Sequence, residues 1–255
     1  MTLVLGVDGC KGGWCAVSVE VSDPGCRLLG AVTYRSFEEI LESAATIICV
    51  DIPIGLLDGP GHRTCDVEAR RLLGRGWPRV FPPPSRAVLA DKELASFFLG
   101  APVGLGGVRR LHRRACEVNE EATGVMINLQ SFYIAPKVYR VDSLMTPTLQ
   151  KRVLEVHPEV CFWALNGGSA LNSNKKTATG RRERWRLLRR VLSGLTREAS
   201  LPAGIRGRCN TDDYVDALVC AWTAACVLRG TASRVPADPP ADGRGLRMEM
   251  WHPAF

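Results

Sequence analysis

The sequence predicts an α/β domain built on a mixed sheet, and two observations support this prediction. Three apolar runs, separated by turns rich in glycine and proline, open the chain at residues 3–7, 14–21 and 28–34. Such runs are typical of three consecutive antiparallel strands. A predicted helix and a further apolar run follow, which is the order expected when a helix crosses back over the sheet to a parallel strand.

The helix and the fourth strand have separate sequence signals. Ser36 and Glu39 have the spacing of a capping box, which predicts a helix over residues 37–45. Residues 46–52 are apolar except for Asp51, a pattern that suits a strand buried on both faces. The expected core therefore starts with three antiparallel strands, a helix and a parallel strand.

The central part of the chain has a different composition. Prolines and arginines cluster between residues 56 and 140, and residues 66–73 and 109–123 are expected to be helical. We interpret this segment as a mainly helical cap inserted into a single domain that spans the whole chain. The core then comprises about residues 1–55 and 150–255.

The second part of the core is expected to alternate strands and helices. Residues 151–157 form an apolar strand, and Pro158 has the position of a first helical residue. A strongly basic helix is expected at residues 180–195, and a longer helix with an apolar face at 211–229. A proline- and glycine-rich loop then leads to a short final strand at residues 246–251.

Composition and charge exclude several classes of protein. Apolar residues make up 46% of the chain and charged residues 23%, which is typical of a globular protein and excludes a disordered or collagen-like one. No run approaches the ~20 apolar residues of a membrane helix, and the first residues lack a signal-peptide pattern, so we expect a cytoplasmic protein with no membrane partner.

The 10 cysteines form no C-x-x-C pair and are expected to be buried thiols. The net charge of +7 favours an anionic partner.

Aspartates at strand ends are the first candidates for chemistry. Asp8 ends the first predicted strand, and Asp51 has the equivalent place on the fourth. If these strands are neighbours, the two carboxylates stand side by side, and a divalent cation is the usual resolution of their repulsion. Asp213 and Asp216 share a face of the last long helix. Asp212 could be an N-cap instead, whereas Asp216 lies too far inside the helix for capping to explain it.

Four further residues are weaker candidates for a role in the site. Glu155 lies on a predicted apolar strand and could supply a further carboxylate. Glu159 falls in a first helical turn, where the helix dipole alone favours an acid. His157 could be a general base or an ordinary histidine at a strand end. Lys11, beside Asp8 along the chain, could contact a phosphate.

Positive charge is concentrated in one segment. Eight cations and a single acid, Glu183, lie between residues 175 and 190, an imbalance that favours phosphate contact over ion pairing within the helix. The candidates for substrate binding in this segment are Lys175, Lys176, Arg182 and Arg186. A second cluster comprises Arg109, Arg110, Arg113 and Arg114. Three further arginines of the central segment are expected to line the cleft over the carboxylates, namely Arg63, Arg70 and Arg86.

Six motifs occur in order along the chain. They are GVDGCKGGW, DIPIGL, R-x-C-D-x-x-A-R, V-F-P-x-P-x-R, EVHPE and D-D-x-x-D-A-L. Together they resemble the domain of unknown function 429 family, which is regarded as predicted nucleases with the RNase H fold. The last motif is also similar to the C-terminal helix of RuvC-type resolvases, which carries two metal-site aspartates. The resemblance implies an RNase H-like core, and the predicted strand order agrees with such a core.

The resemblance also implies a function, namely a nuclease that cleaves nucleic acid with Mg²⁺ or Mn²⁺ by a two-metal mechanism. One ion would lower the pKa of the attacking water and the other would stabilise the leaving 3′ oxygen. Asp8 would be the ligand shared by both ions, with Asp51, Asp213 and Asp216 completing the metal site. Glu155 is the remaining candidate for a catalytic role. Oxygen ligands favour these ions over zinc.

Two alternatives remain open. The actin and sugar-kinase group shares this core and has a first strand and turn with Asp-x-Gly, so VDGCKGG could bind the phosphates of ATP in a phosphotransferase. However, the C-terminal half has no second glycine-rich nucleotide motif. A non-catalytic nucleic-acid-binding protein on the same fold is the other alternative, in which four converging carboxylates would have little use.

Overall fold

A five-stranded mixed sheet forms the centre of the computed structural model, which describes residues 1–197 and 200–255. The strand order is β3-β2-β1-β4-β5. The strands are β1 (Thr2–Cys10), β2 (Gly13–Val21), β3 (Cys26–Tyr34), β4 (Ile47–Val50) and β5 (Val153–Glu155). The first three are antiparallel, whereas β4 and β5 run parallel to β1. The α/β class and the mixed sheet predicted from the sequence are confirmed.

Helices flank both faces of this sheet. They are α1 (Phe37–Leu41), α2 (Thr64–Leu73), α3 (Arg86–Ala90), α4 (Ala95–Phe98), α5 (Leu105–Thr123), α6 (Leu129–Leu144), α7 (Pro158–Leu165), α8 (Ala178–Val191) and α9 (Thr211–Leu228). A small hairpin of β6 (Ala232–Val235) and β7 (Met250–Pro253) completes the described elements.

The alternation of side chains along β1 divides the interior into two cores. Val4 and Cys10 pack with α9 and α8, whereas Leu5 and Val7 pack with α1 and α6 on the opposite face. Because successive side chains of a strand point to opposite faces, Asp8 lies on the α9 side. The sheet therefore directs this carboxylate toward the last long helix.

The main difference from the sequence prediction is α6, which was not expected. Pro136 lies inside this helix, where proline removes one backbone hydrogen bond and would normally end or kink it. Phe132, Ala135, Val138 and Val141 are fully buried in the core beneath the helix. This burial offsets the lost hydrogen bond.

Smaller differences lie at element ends. The strand predicted at residues 151–157 is limited to β5, because a 3₁₀ turn (Leu149–Lys151) precedes it. The basic helix ends at Val191, before the predicted residue 195. The final strand is β7 rather than residues 246–251, and its partner, β6, was not predicted.

α9 lies directly on β1 at Gly6. A Cβ atom at this position would lie 1.9 Å from the backbone nitrogen of Ala221 and 2.2 Å from the carbonyl oxygen of Ala217. Both neighbours are helix backbone and cannot rotate away, so only glycine allows this approach. The contact brings the first turns of α9 over the carboxyl end of β1.

We therefore predict that Gly6→Ala destabilises the fold by about 3 kcal/mol or more, the upper part of the range for overpacking. Unfolding by urea, followed by circular dichroism, measures this change. Gly30→Ala is the matched control, because Gly30 lies on β3 with open space where the Cβ would stand. The control should change stability by less than about 1 kcal/mol. Equal midpoints for the two variants would contradict the described packing of α9.

Candidate functional site

A cleft of about 710 Å³ opens at the carboxyl ends of β1, β4 and β5. In open α/β sheets this edge is where ligands usually bind. The predicted site residues in its lining are Asp8, Asp51, Glu155, His157, Glu159, Lys175, Lys176 and Asp213, whereas Asp216 lies outside the lining. The cleft is therefore the place where most of the predicted acids meet.

Asp8 and Asp51 end two adjacent parallel strands. Val7 is paired with Val50 in the register, and the amide of Asp51 donates to the carbonyl oxygen of Val7 at 2.9 Å. Both valines face the α1 and α6 side, so the aspartate after each points to the α9 side. Asp8 is buried and Asp51 half-buried. The side-by-side placement expected from the sequence is present.

The N-terminal turns of α9 add two more carboxylates. Asn210 is the N-cap, and its amide donates to Asp213 Oδ2 at 2.9 Å, so Asp213 also helps to cap the helix. Asp212 follows the N-cap and is not the N-cap itself. Asp216 is buried, and Lys175 Nζ donates to its Oδ2 at 2.6 Å. Its Oδ1 is buried with no partner among the described residues.

Burial opposes the ionisation of all four aspartates, and the other three also oppose that of Asp8. Burial raises the pKa of Asp8 well above its usual value, and the charges of Asp51, Asp216 and Asp213 raise it further. Burial also raises the pKa of Asp51 and Asp213. For Asp216 burial raises the pKa to about 6, although Lys175 acts in the opposite direction. The protein itself therefore balances the negative charge only in part.

Two cations that line the cleft were not predicted. Lys137 of α6 lies against the end of β1, where a Cβ at Gly9 would stand 2.9 Å from its Cε, and its Nζ donates to the carbonyl oxygen of Cys10 at 3.3 Å. Arg79 donates to Glu159 at 2.7 Å. No sequence signal for Lys137 was available, because α6 itself was not predicted.

Glu155 belongs to a separate, self-contained group. Its carboxylate accepts from Arg63 at 2.5 Å and from the amide of Ile54 at 2.6 Å; burial raises its pKa, and the Arg63 guanidinium opposes this by favouring the ionised form. The ligand atoms of Cys65, Asp66 and Glu155 lie within 4.8 Å of one another and could hold a metal ion. In the described part of the chain no other three His, Cys, Asp or Glu side chains have ligand atoms this close together. The carboxylate oxygens of the four aspartates are therefore further apart than the ligand atoms of the Glu155 group. Arg63 already supplies positive charge to the Glu155 group.

The three arginines predicted to line the cleft do not do so. The side chain of Arg63 is 1% exposed and held by Glu155, so it is not accessible to a substrate. Arg70 donates its Nε to the carbonyl oxygen of Val80 at 2.8 Å. Arg86 is held in ion pairs with three acids elsewhere in the fold, Asp58, Asp142 and Asp242. These arginines connect separate segments of the chain. The acidic partners Glu155 of Arg63 and Asp142 and Asp242 of Arg86 are too distant in sequence to be recognised from it.

Of the remaining predicted cations, some line the cleft and others do not. Lys175 and Lys176 line the cleft. Lys11, Arg182 and Arg186 are exposed but stand outside its lining. In the second arginine cluster, Arg110 pairs with Glu93 and Arg114 with Asp91.

Glu159 and His157 have different surroundings. Burial alone would raise the pKa of Glu159, but Arg184 and Arg79, each at 2.7 Å, lower it below its usual value. Glu159 is therefore a paired carboxylate. His157 lines the cleft, with Nε2 3.3 Å from the carbonyl oxygen of Arg79 and Nδ1 buried without a partner among the described residues.

The comparisons with known proteins identify a family. The model of the family described as "Protein of unknown function (DUF429)" matches residues 6–241, and the chain belongs to this family. The resemblance inferred from the six motifs is thereby confirmed. No curated protein and no solved structure matches the chain. In the part of the chain that the structure describes, no helix is long and apolar enough to cross a membrane.

We predict that Asp8→Asn stabilises the protein in EDTA at neutral pH. Because folding raises the pKa of Asp8, its cost to stability is absent below pH ~4 and grows as the pH rises through the folded pKa. Asparagine removes this cost, so we expect Tm at pH 7.5 to rise by about 2–4 °C, the shift for roughly 1 kcal/mol. The gain should shrink toward pH 4. The exposed residue Asp238 provides the control, Asp238→Asn, for which Tm should stay constant; a lower Tm for Asp8→Asn would show that Asp8 is stabilising.

We also predict that Arg63→Ala lowers the free energy of unfolding by about 3–5 kcal/mol, because it leaves Glu155 buried without its charge partner. Adding Glu155→Gln should recover part of this loss, since the unpaired charge is then removed. Arg71→Ala, at an exposed position of α2, the helix that Arg63 precedes, should have an effect within about 0.5 kcal/mol. Urea titration of the four proteins tests this, and an unchanged midpoint for Arg63→Ala would refute a structural role for Arg63.

Proposed function

We propose that this DUF429 protein is a Mg²⁺- or Mn²⁺-dependent nuclease with an RNase H-like core. The observation that supports it best is the grouping of four aspartates: Asp8, Asp51 and Asp213 line one cleft, and the buried Asp216 is close enough for its charge to raise the pKa of Asp8. The strand order, with three antiparallel strands followed by two parallel ones, suits this core. The segment at residues 56–140, which lies between β4 and β5 and contains mostly helices, would form the cap of a single domain.

The donor set fits a divalent cation. All four side chains offer carboxylate oxygens, the ligands that Mg²⁺ and Mn²⁺ prefer. Asp216 has a buried oxygen with no partner among the described residues, and Asp8 is surrounded by like charges. Asp8, Asp51, Asp213 and Asp216 would hold the metal, which when bound supplies a more acidic water and stabilises the charge on the leaving oxygen.

The other residues of the cleft would position a phosphodiester. Lys175, Lys176 and Lys137 line it and can neutralise backbone phosphates. Lys175 also lowers the pKa of Asp216 and so favours the ionised form of this carboxylate. His157, with one buried ring nitrogen free of a partner in the described chain, is placed to take or return a proton in the cleft.

The proposal predicts cleavage of nucleic acid by the wild type with Mn²⁺ and loss of cleavage in Asp8→Asn. The assay uses labelled DNA, RNA, hybrid and branched substrates, with EDTA as the metal-free control. We expect the rate to fall at least roughly 100-fold in Asp8→Asn, because the carboxylate at the centre of the acid set is removed. Asp238→Asn, on an exposed loop, should cleave like the wild type.

A second readout does not depend on turnover. Mn²⁺ should raise Tm of the wild type, because binding to the folded state alone stabilises it. The rise should be much smaller in Asp8→Asn. Cleavage that persists unchanged in Asp8→Asn would reject the proposed site. ATP hydrolysis without cleavage of any nucleic acid would instead favour the phosphotransferase alternative.

A further inference from the structure

We propose that a second cavity beside the cleft binds an unpaired nucleotide, so that the substrate is single-stranded nucleic acid. This inference rests on the proposed nuclease function and names its substrate class. The cavity has a volume of about 550 Å³, which lies within the usual range for small-molecule sites. Lys137 lines both the cavity and the acidic cleft, so the two spaces meet at this side chain.

One helix connects the two spaces. Gln130 and Ile134 of α6 line the acidic cleft, whereas Pro136 and Arg140 line the second cavity. Lys137 contributes to both. A strand that lies along α6 could therefore place one phosphate at the aspartates and a neighbouring nucleotide in the second cavity.

The wall of the second cavity is apolar and aromatic. Trp14, Phe37 and Phe98 are almost completely buried and form the floor beneath it, and Leu99 forms its exposed part. Leu99 is 57% exposed, so an apolar surface remains open to a ligand. A nucleobase has flat apolar faces and can pack against the exposed Leu99 side of this wall.

The charges of the cavity favour a phosphate. Arg35 and Arg140 are exposed at its lining, and neither has an acidic side-chain partner in the described residues. The Lys137 ammonium stands 5.2 Å from the centre of the Trp14 ring. Among the described residues that line this cavity, Glu38 is the one acid. Unpaired cations beside an apolar wall match the two parts of a nucleotide, its phosphate and its base.

An unpaired base is required for this placement. In a duplex each base is stacked and paired inside the helix, so its faces are not available to a protein cavity. A single strand presents its bases without this cost. Single-stranded DNA and RNA share this chemistry, and the test therefore includes both.

The experiment measures binding without cleavage. Fluorescence anisotropy in EDTA gives Kd for labelled 20-nucleotide single strands of DNA and of RNA, and for a blunt DNA duplex of equal length. The proteins are the wild type, the double variant Arg35→Ala/Arg140→Ala, and the control Arg113→Ala. Arg113 is exposed and lies outside both lined spaces. Matching thermal unfolding curves verify that the variants are folded.

We expect the wild type to bind single strands at least about 10-fold more tightly than the duplex. The double variant should lose about 10-fold in affinity for single strands, and the slope of log K against log salt should become shallower by about 1.4, since each phosphate contact on a single strand contributes ~0.7. Arg113→Ala should leave both quantities unchanged. A preference for DNA or for RNA would identify which strand enters.

Equal binding of duplex and single strand, or a double variant that binds single strands like the wild type, would overturn the inference. Cleavage with Mn²⁺ is measured separately on the same proteins. A wild type that prefers single strands but cleaves none would contradict the nuclease while retaining the binding site. A wild type that cleaves without this preference would contradict the second cavity alone.

Discussion

The close packing of α9 on β1 at Gly6 determines where the acidic residues meet. Without a Cβ at this position, the helix backbone contacts the strand, and the first turns of α9 extend over the carboxyl end of β1. Asp213 and Asp216 approach Asp8 because of a packing contact made by apolar residues further along the helix. The same packing removes water from Asp8, so burial and repulsion act on it together.

Two groups of buried acids lie at this edge of the sheet, and the charges around them differ. Glu155 faces a buried arginine, Arg63, at 2.5 Å, so its charge is balanced inside the protein. Asp8 has no such partner among the described residues. One cation of its group, Lys175, is 38% exposed and is bonded to Asp216. Acids whose charge is paired inside the protein stabilise the fold, whereas acids in a cleft whose charge is unpaired can bind a cation from solution. For this reason the proposed chemistry is placed on the aspartates and not on Glu155.

Local patterns are enough to predict the sheet and the two aspartates at its strand ends, because apolar runs and alternation follow burial directly. They fail where the deciding partner is distant in sequence. Arg63 and Glu155 are 92 residues apart, and nothing near either one distinguishes a buried arginine from one that lines a cleft. They also fail at α6, because the cost of Pro136 is visible in the sequence and the burial of Phe132 that offsets it is not.

The helix that sequence patterns miss, α6, lines both the acidic cleft and the second cavity. Lys137 is held by a backbone carbonyl, by the Trp14 ring and by the space that Gly9 leaves, and none of these contacts neutralises its charge. Burial lowers its pKa, which shows that the ammonium gives up water to stand there. A cation placed by such contacts, and not by an ion pair, stays available to an anion. Since it lies between the aspartates and the second cavity, the path that we propose for a substrate strand would depend on α6 as much as on the acids.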